Sequence, residues 1–207
     1  MGILSGALSV RRYRVAGQVP DDFRTTYADA LADHAWREPR EWVPGVEAIG
    51  WCEITNLLDT DFQDLNRWLF NEYVVAAMRV DKKSLPAKLL KAHLDKRVGA
   101  WCQEHQRPKC PARVKADIKE QLELEMLAAT LPRVQTYEFC WNLVEGQVLF
   151  HNHSDRANDA FRKLFRHSFG LALLPWSPLD FLADDPNLAA ALEVQGISDL
   201  RPDGGLA

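Results

Sequence analysis

Thirteen of the chain's 25 lysines and arginines, but only 7 of its 29 acids, fall between Arg79 and Arg133. The chain as a whole is acidic, with a formal net charge of −4, so this basic stretch needs a reason. Clustered cations attract polyanions, because neutralising phosphates releases counterions and gives affinity without reading bases. Lys82, Lys83, Arg107, Lys109, Arg113, Lys115, Lys119 and Arg133 are the candidate contacts, with Lys88, Lys91, Lys96 and Arg97 alongside them. Ordinary helix solvation competes with this reading. Arg113 with Asp117, and Lys119 with Glu123, have the i,i+4 spacing of surface ion pairs. Arg156, Arg162, Lys163, Arg166 and His167 form a second basic set further along.

Cys102, His105 and Cys110 place three zinc-type ligands in one short segment, but a structural site takes four and the spacing matches no familiar finger. No metal is expected there. His151-Asn152-His153 would set two histidines on one face of a strand, as a nuclease could use, yet no carboxylate cluster accompanies them. The acidic run Asp59 to Asp64 lacks the glycine and closing glutamate of a calcium loop. No glycine-rich phosphate loop, nucleophile elbow or paired zinc-histidine helix occurs. The expectation is a protein with no catalytic residues, no metal and no cofactor.

The elements that carry these residues follow from periodicity. Tyr73 to Val80 is an apolar run, a buried strand; Pro86 opens a helix whose Leu90, Leu94, Val98 and Trp101 share one face. A second helix runs through Val114, Ile118, Leu122 and Met126, after a tip at Arg107 to Pro111 whose two prolines oppose a continuous helix. The two apolar faces are expected to pack together as an arm. Tyr137, Phe139, Trp141 and Leu143 alternate with polar residues, and Glu145-Gly146 turns this strand into a partner running from Val148 to His153. Earlier, Arg11 to Arg14 lie in a first strand, and Pro20-Asp21-Asp22 opens a helix through Phe23, Tyr27 and Leu31. Later, Ser154 or Asp155 caps a helix with Ala157, Phe161 and Phe165 inward, Gly170 ends it, and Leu171 to Leu174 is a last strand.

These elements predict an α+β fold, an antiparallel sheet with flanking helices and a projecting two-helix basic arm. The expected division is a body of residues 1–81 and 134–183, an arm of 82–133, and a C-terminal short helix and tail over 184–207. The apolar start has neither the basic region nor the cleavage site of a signal peptide. No apolar run is long enough to span a membrane, and four irregularly spaced cysteines fit a reducing cytoplasm.

In this order the segments resemble the bacterial recombination-associated RdgC family. The landmarks are Ala7 to Val15, Gly50-Trp51, the strand Tyr73 to Asp81, Lys82-Lys83-Ser84-Leu85-Pro86, the two-helix arm and Leu131-Pro132-Arg133. The hairpin at Gly146, the helix Asp155 to His167 and Leu171 to Pro175 complete the set. The resemblance implies a non-enzymatic, largely sequence-independent binder of double-stranded DNA, acting at the nucleoid as a homodimer or with another chain. Members form a ring-shaped dimer around the duplex and restrain the strand exchange of recombination. It singles out Arg113, Lys115, Lys119 and Arg133 as backbone contacts. Two departures stand out. Val134-Gln135-Thr136 follows Leu-Pro-Arg, where the family commonly places a wedge aromatic. Members are also about half as long again, so the arm is expected to bind without completing a ring. The competing reading is an interaction module that keeps the fold and uses the arm to dock on a protein.

Overall fold

The computed structural model describes residues 2–4, 6 and 8–176. The expected helix after residue 184 lies outside the described residues. Seven strands form one antiparallel sheet: β1 (Arg11–Ala16), β2 (Glu47–Cys52), β3 (Leu69–Phe70), β4 (Tyr73–Lys82), β5 (Arg133–Asn142), β6 (Gln147–Phe150) and β7 (Ala172–Pro175). Their order is β2-β4-β5-β6-β1-β7, with β3 sharing the β2 side of β4. The helices are α1 (Phe23–Asp33), α2 (Ala87–Glu104), α3 (Ala112–Ala129) and α4 (Asp155–Phe169). The α+β class and the antiparallel sheet expected from the alternation of polar and apolar residues are what the chain adopts.

One face of the sheet carries the core. Val74, Ala76 and Met78 of β4, Phe139 and Trp141 of β5, and Val148 and Phe150 of β6 point to it, as period-two alternation requires. Tyr27 and Leu31 of α1, with Phe161, Phe165 and Phe169 of α4, cover them. The Phe150 and Phe161 rings stack at 4.1 Å. Two buried polar groups here are satisfied: Trp51 Nε1 donates to Ser168 Oγ at 2.7 Å, and Tyr13 Oη donates to Asn158 Oδ1; Tyr27 Oη and Trp141 Nε1 are buried with no hydrogen-bond partner among the described residues. Gly170, with φ 68°, closes α4 in the left-handed conformation that suits glycine.

The opposite face is covered near β2 by the chain that follows α1. Trp51 N donates to the His34 carbonyl at 2.9 Å and Trp36 N to the Trp51 carbonyl at 2.8 Å. A Cβ at residue 50 would lie 2.5 Å from the backbone of Trp36, so the crossing requires Gly50. Arg79 lies under this crossing. Its guanidinium binds both oxygens of fully buried Asp81 at 2.8 and 2.7 Å, donates to the Leu57 carbonyl at 3.0 Å, and stacks 3.5 Å from the Trp36 ring. A buried charge stays ionised only when paired and hydrogen-bonded in this way. Arg79 therefore belongs to the interior and drops out of the basic surface.

Three strand ends differ from the expectation. Arg133 begins β5 and Lys82 ends β4, where they face one another in register. β6 ends at Phe150, so His151 lies in a bend, His153 in the irregular chain after it, and the two do not share a strand face. The cause is Asn152, whose Oδ1 accepts from Ser154 N at 2.7 Å and whose carbonyl accepts from Asn158 Nδ2 at 3.0 Å. Those bonds turn the chain into α4 instead of prolonging the ladder.

Candidate nucleic-acid interface

α2 leaves from the end of β4, α3 returns into β5, and the two helices pack against each other. Their apolar residues meet as the spacing predicts, but only partly. Leu94, Leu122 and Leu127 are buried, whereas Leu90, Val98, Trp101, Val114, Ile118 and Met126 are half-exposed. Two helices alone lack a third layer to enclose a large ring. Trp101 instead stacks on His105 at 4.2 Å, and the Arg97–Glu125 ion pair ties the helices together. That hydrogen-bonded guanidinium pulls the Glu125 carboxyl below its usual range.

The sequence-derived cations fall into four groups. Arg107, Lys109, Arg113 and Lys115 are exposed around the tip, and none has an ion-pair partner among the described residues. Lys119 and Lys82 are paired, with Glu123 at 3.4 Å and Glu47 at 3.4 Å. Lys83 is interior: its Nζ donates to the Leu127 carbonyl at 2.9 Å and sits 5.0 Å from the Trp42 ring. It ties the base of α3 to the end of β4, and its side chain is buried. Arg133 is exposed on the core side of the sheet, at the edge of a cleft away from the tip.

Local electrostatics reinforce the tip. The first turn of α3 holds no acid and contains Arg113 and Lys115, at the end of the helix where its dipole is positive. Pro111, the residue before α3, supplies no side-chain cap, which leaves first-turn amide groups for solvent or an anion. Gln106, at φ 53°, turns the chain out of α2 into this tip. Four exposed cations without an ion-pair partner among the described residues thus lie in or next to the positive end of α3.

The remaining sequence candidates fall elsewhere. His105 Nδ1 lies 2.9 Å from the Trp101 carbonyl and Cys110 Sγ lies 3.6 Å from the Pro111 carbonyl. Among the described residues, no group of three or more His, Cys, Asp or Glu side chains is placed to hold a metal. His153 Nε2 contacts Ser9 Oγ at 2.6 Å. No helix among the described residues is long and apolar enough to cross a membrane.

A family model described as "putative exonuclease, RdgC" matches residues 11–187. The chain belongs to the RdgC family. The match covers the sheet, the helical hairpin and α4 together, so the RdgC relationship extends across the whole described fold. Membership supports a recombination-associated, DNA-binding role at the level of the RdgC family. No curated protein matches the chain.

Sequence reasoning missed Glu47 and Arg156 as partners of the basic set. Arg156 Nη2 binds Glu47 Oε1 at 2.7 Å, across 109 residues of sequence. Neither residue's local context signals the other.

Proposed function

We propose that this RdgC-family chain is a non-catalytic, largely sequence-independent binder of double-stranded DNA that modulates recombination at the nucleoid in the cytoplasm. The observation that carries the reading is the tip, where Arg107, Lys109, Arg113 and Lys115 are exposed and without ion-pair partners among the described residues, beside the positive end of α3. Phosphates would supply the missing counter-charge, and phosphate contacts carry no base information. Lys119 joins them by exchanging Glu123 for a phosphate. Arg133 contributes from the base of the hairpin.

Fluorescence anisotropy on two unrelated duplexes over a salt series tests this. The triple change Arg113→Ala, Lys115→Ala and Lys119→Ala should weaken both duplexes by similar factors. Each cation removed from a phosphate should lower the salt slope by about 0.9. An unchanged slope with intact circular dichroism would remove these residues from the interface. Incubating the protein with duplex and magnesium or manganese tests the non-catalytic part, and cleavage would refute it.

Assembly with a second copy is the companion reading, favoured by Leu89 and Leu124, large apolar residues left exposed on α2 and α3. Light scattering at several concentrations checks it. A monomer throughout would exclude the homodimer.

A further inference from the structure

Three residues lie in a row across the sheet at the foot of the hairpin. Glu47 of β2 is in register with Lys82 of β4, which is in register with Arg133 of β5. In-register neighbours project to the same side, and all three line one cleft of about 520 Å³. Arg156, from the first turn of α4, reaches the same cleft. The cleft thus holds three cations around one half-buried carboxylate. Glu47 Oε1 serves two of them, Arg156 at 2.7 Å and Lys82 at 3.4 Å, and Arg133 has no ion pair among the described residues.

This arrangement runs against local stability. Like charges directly opposite on neighbouring strands repel, as Lys82 and Arg133 do, and a cation in the first turn of a helix opposes its dipole. One carboxylate, Glu47, offsets two of the three cations and leaves Arg133 without an ion pair among the described residues. Gln135 and Asn152 line the same cleft.

We propose that this cleft is a second phosphate-binding subsite for duplex DNA, in which Glu47 is an internal counter-charge that a DNA phosphate displaces. The proposal rests on the DNA-binding reading and extends it from the tip to the sheet. In free protein Glu47 holds Lys82 and Arg156 close to the position a phosphate would take. A bound phosphate takes over those two cations together with Arg133. Glu47 therefore lowers affinity and restrains the two side chains at once.

The test is duplex anisotropy over a salt series with the full chain. Glu47→Gln should bind severalfold more tightly at low salt, with a salt slope steeper by up to about 0.9. Arg133→Gln with Arg156→Gln should weaken binding and make the slope shallower by about 1.8. Glu145→Gln removes one acid from the exposed β5–β6 turn, at the far end of β5, and should change neither. These pairs are at least partly exposed, so the folding cost is small; circular dichroism checks it, and Glu47→Ala provides a second route to the same charge removal. If neither Glu47 variant binds more tightly than Glu145→Gln, the counter-charge role is overturned. If the arginine pair leaves the slope unchanged while the tip triple lowers it, the cleft is no subsite and the DNA reading survives. Wild type with no salt-dependent duplex binding would overturn both.

Discussion

On the back of the sheet, Arg79 has a carboxylate, a carbonyl and an indole ring around it; at the hairpin tip, Arg107, Lys109, Arg113 and Lys115 have no counter-charge among the described residues. The same residue type serves opposite ends in the two regions. In the sheet, an unpaired cation would be expensive, because burial strips its hydration. On the hairpin, water supports the charge at little cost, and the thin apolar seam leaves most of both helices exposed. The difference separates cations that folding holds in place from cations that it leaves to solvent.

The strongest way to break this comparison is to attack the sheet. Asp81→Asn leaves Arg79 buried without its carboxylate and should cost about 3–5 kcal/mol. Phe161→Ala, which empties the ring stacked on Phe150, should cost a similar 3–5 kcal/mol or so. Urea melts of both variants measure this, and changes near zero would mean that the sheet core is not organised around these residues. Trp101→Ala on the hairpin should cost only about 1–2 kcal/mol, since its ring is half-exposed. A cost equal to that of Phe161→Ala would erase the distinction between the regions.

A smaller effect sharpens the contrast by its sign. Arg113→Ala and Lys115→Ala remove cations from the positive end of α3, so each should stabilise the protein by about 0.3–1 kcal/mol while weakening duplex binding. Stabilisation and reduced affinity in the same variant would mark these residues as kept for binding, and destabilisation by both would argue that they support the fold.

The smallest effect is chemical. Burial pushes the Cys52 thiol up to about 12, so it should resist alkylation near neutral pH, while half-exposed Cys102 and Cys110 label first. Mass spectrometry of briefly alkylated protein reads the order. A thiol pKa raised by folding favours the native state below the ordinary value of 9.0. That contribution fades as pH rises from there towards about 12.

The sheet is legible because β5 alternates and β4 opens on the apolar run Tyr73 to Met78, two patterns that a strand buried on one or both faces shows. Both hairpin helices were legible from three-and-four spacing and from Pro86 and Pro111. The fate of individual cations was not. Lys82 and Lys83 are adjacent and identical in type, yet one ends the β4 ladder beside Glu47 and the other turns inward under Trp42. That outcome depends on where residues 36–42 cross, which no local pattern encodes. The strand end at Phe150 is hidden for a related reason: no proline or glycine follows it before Ser154, and the bonds that stop the strand come from Asn152 and Asn158.

Lys82 and Arg133 form the last pair of the β4–β5 ladder, and the hairpin grows directly from both. Tension applied at the tip would draw these two strands lengthwise together, so their mutual ladder would not be unzipped. Resistance would come from the flanks, where β2 grips β4 over six residue pairs and β6 grips β5 over four. Hydrogen bonds on both flanks would then be strained in parallel, as in a lap joint, and not peeled one after another. A molecule drawn by a moving duplex would carry that load through the middle of its sheet.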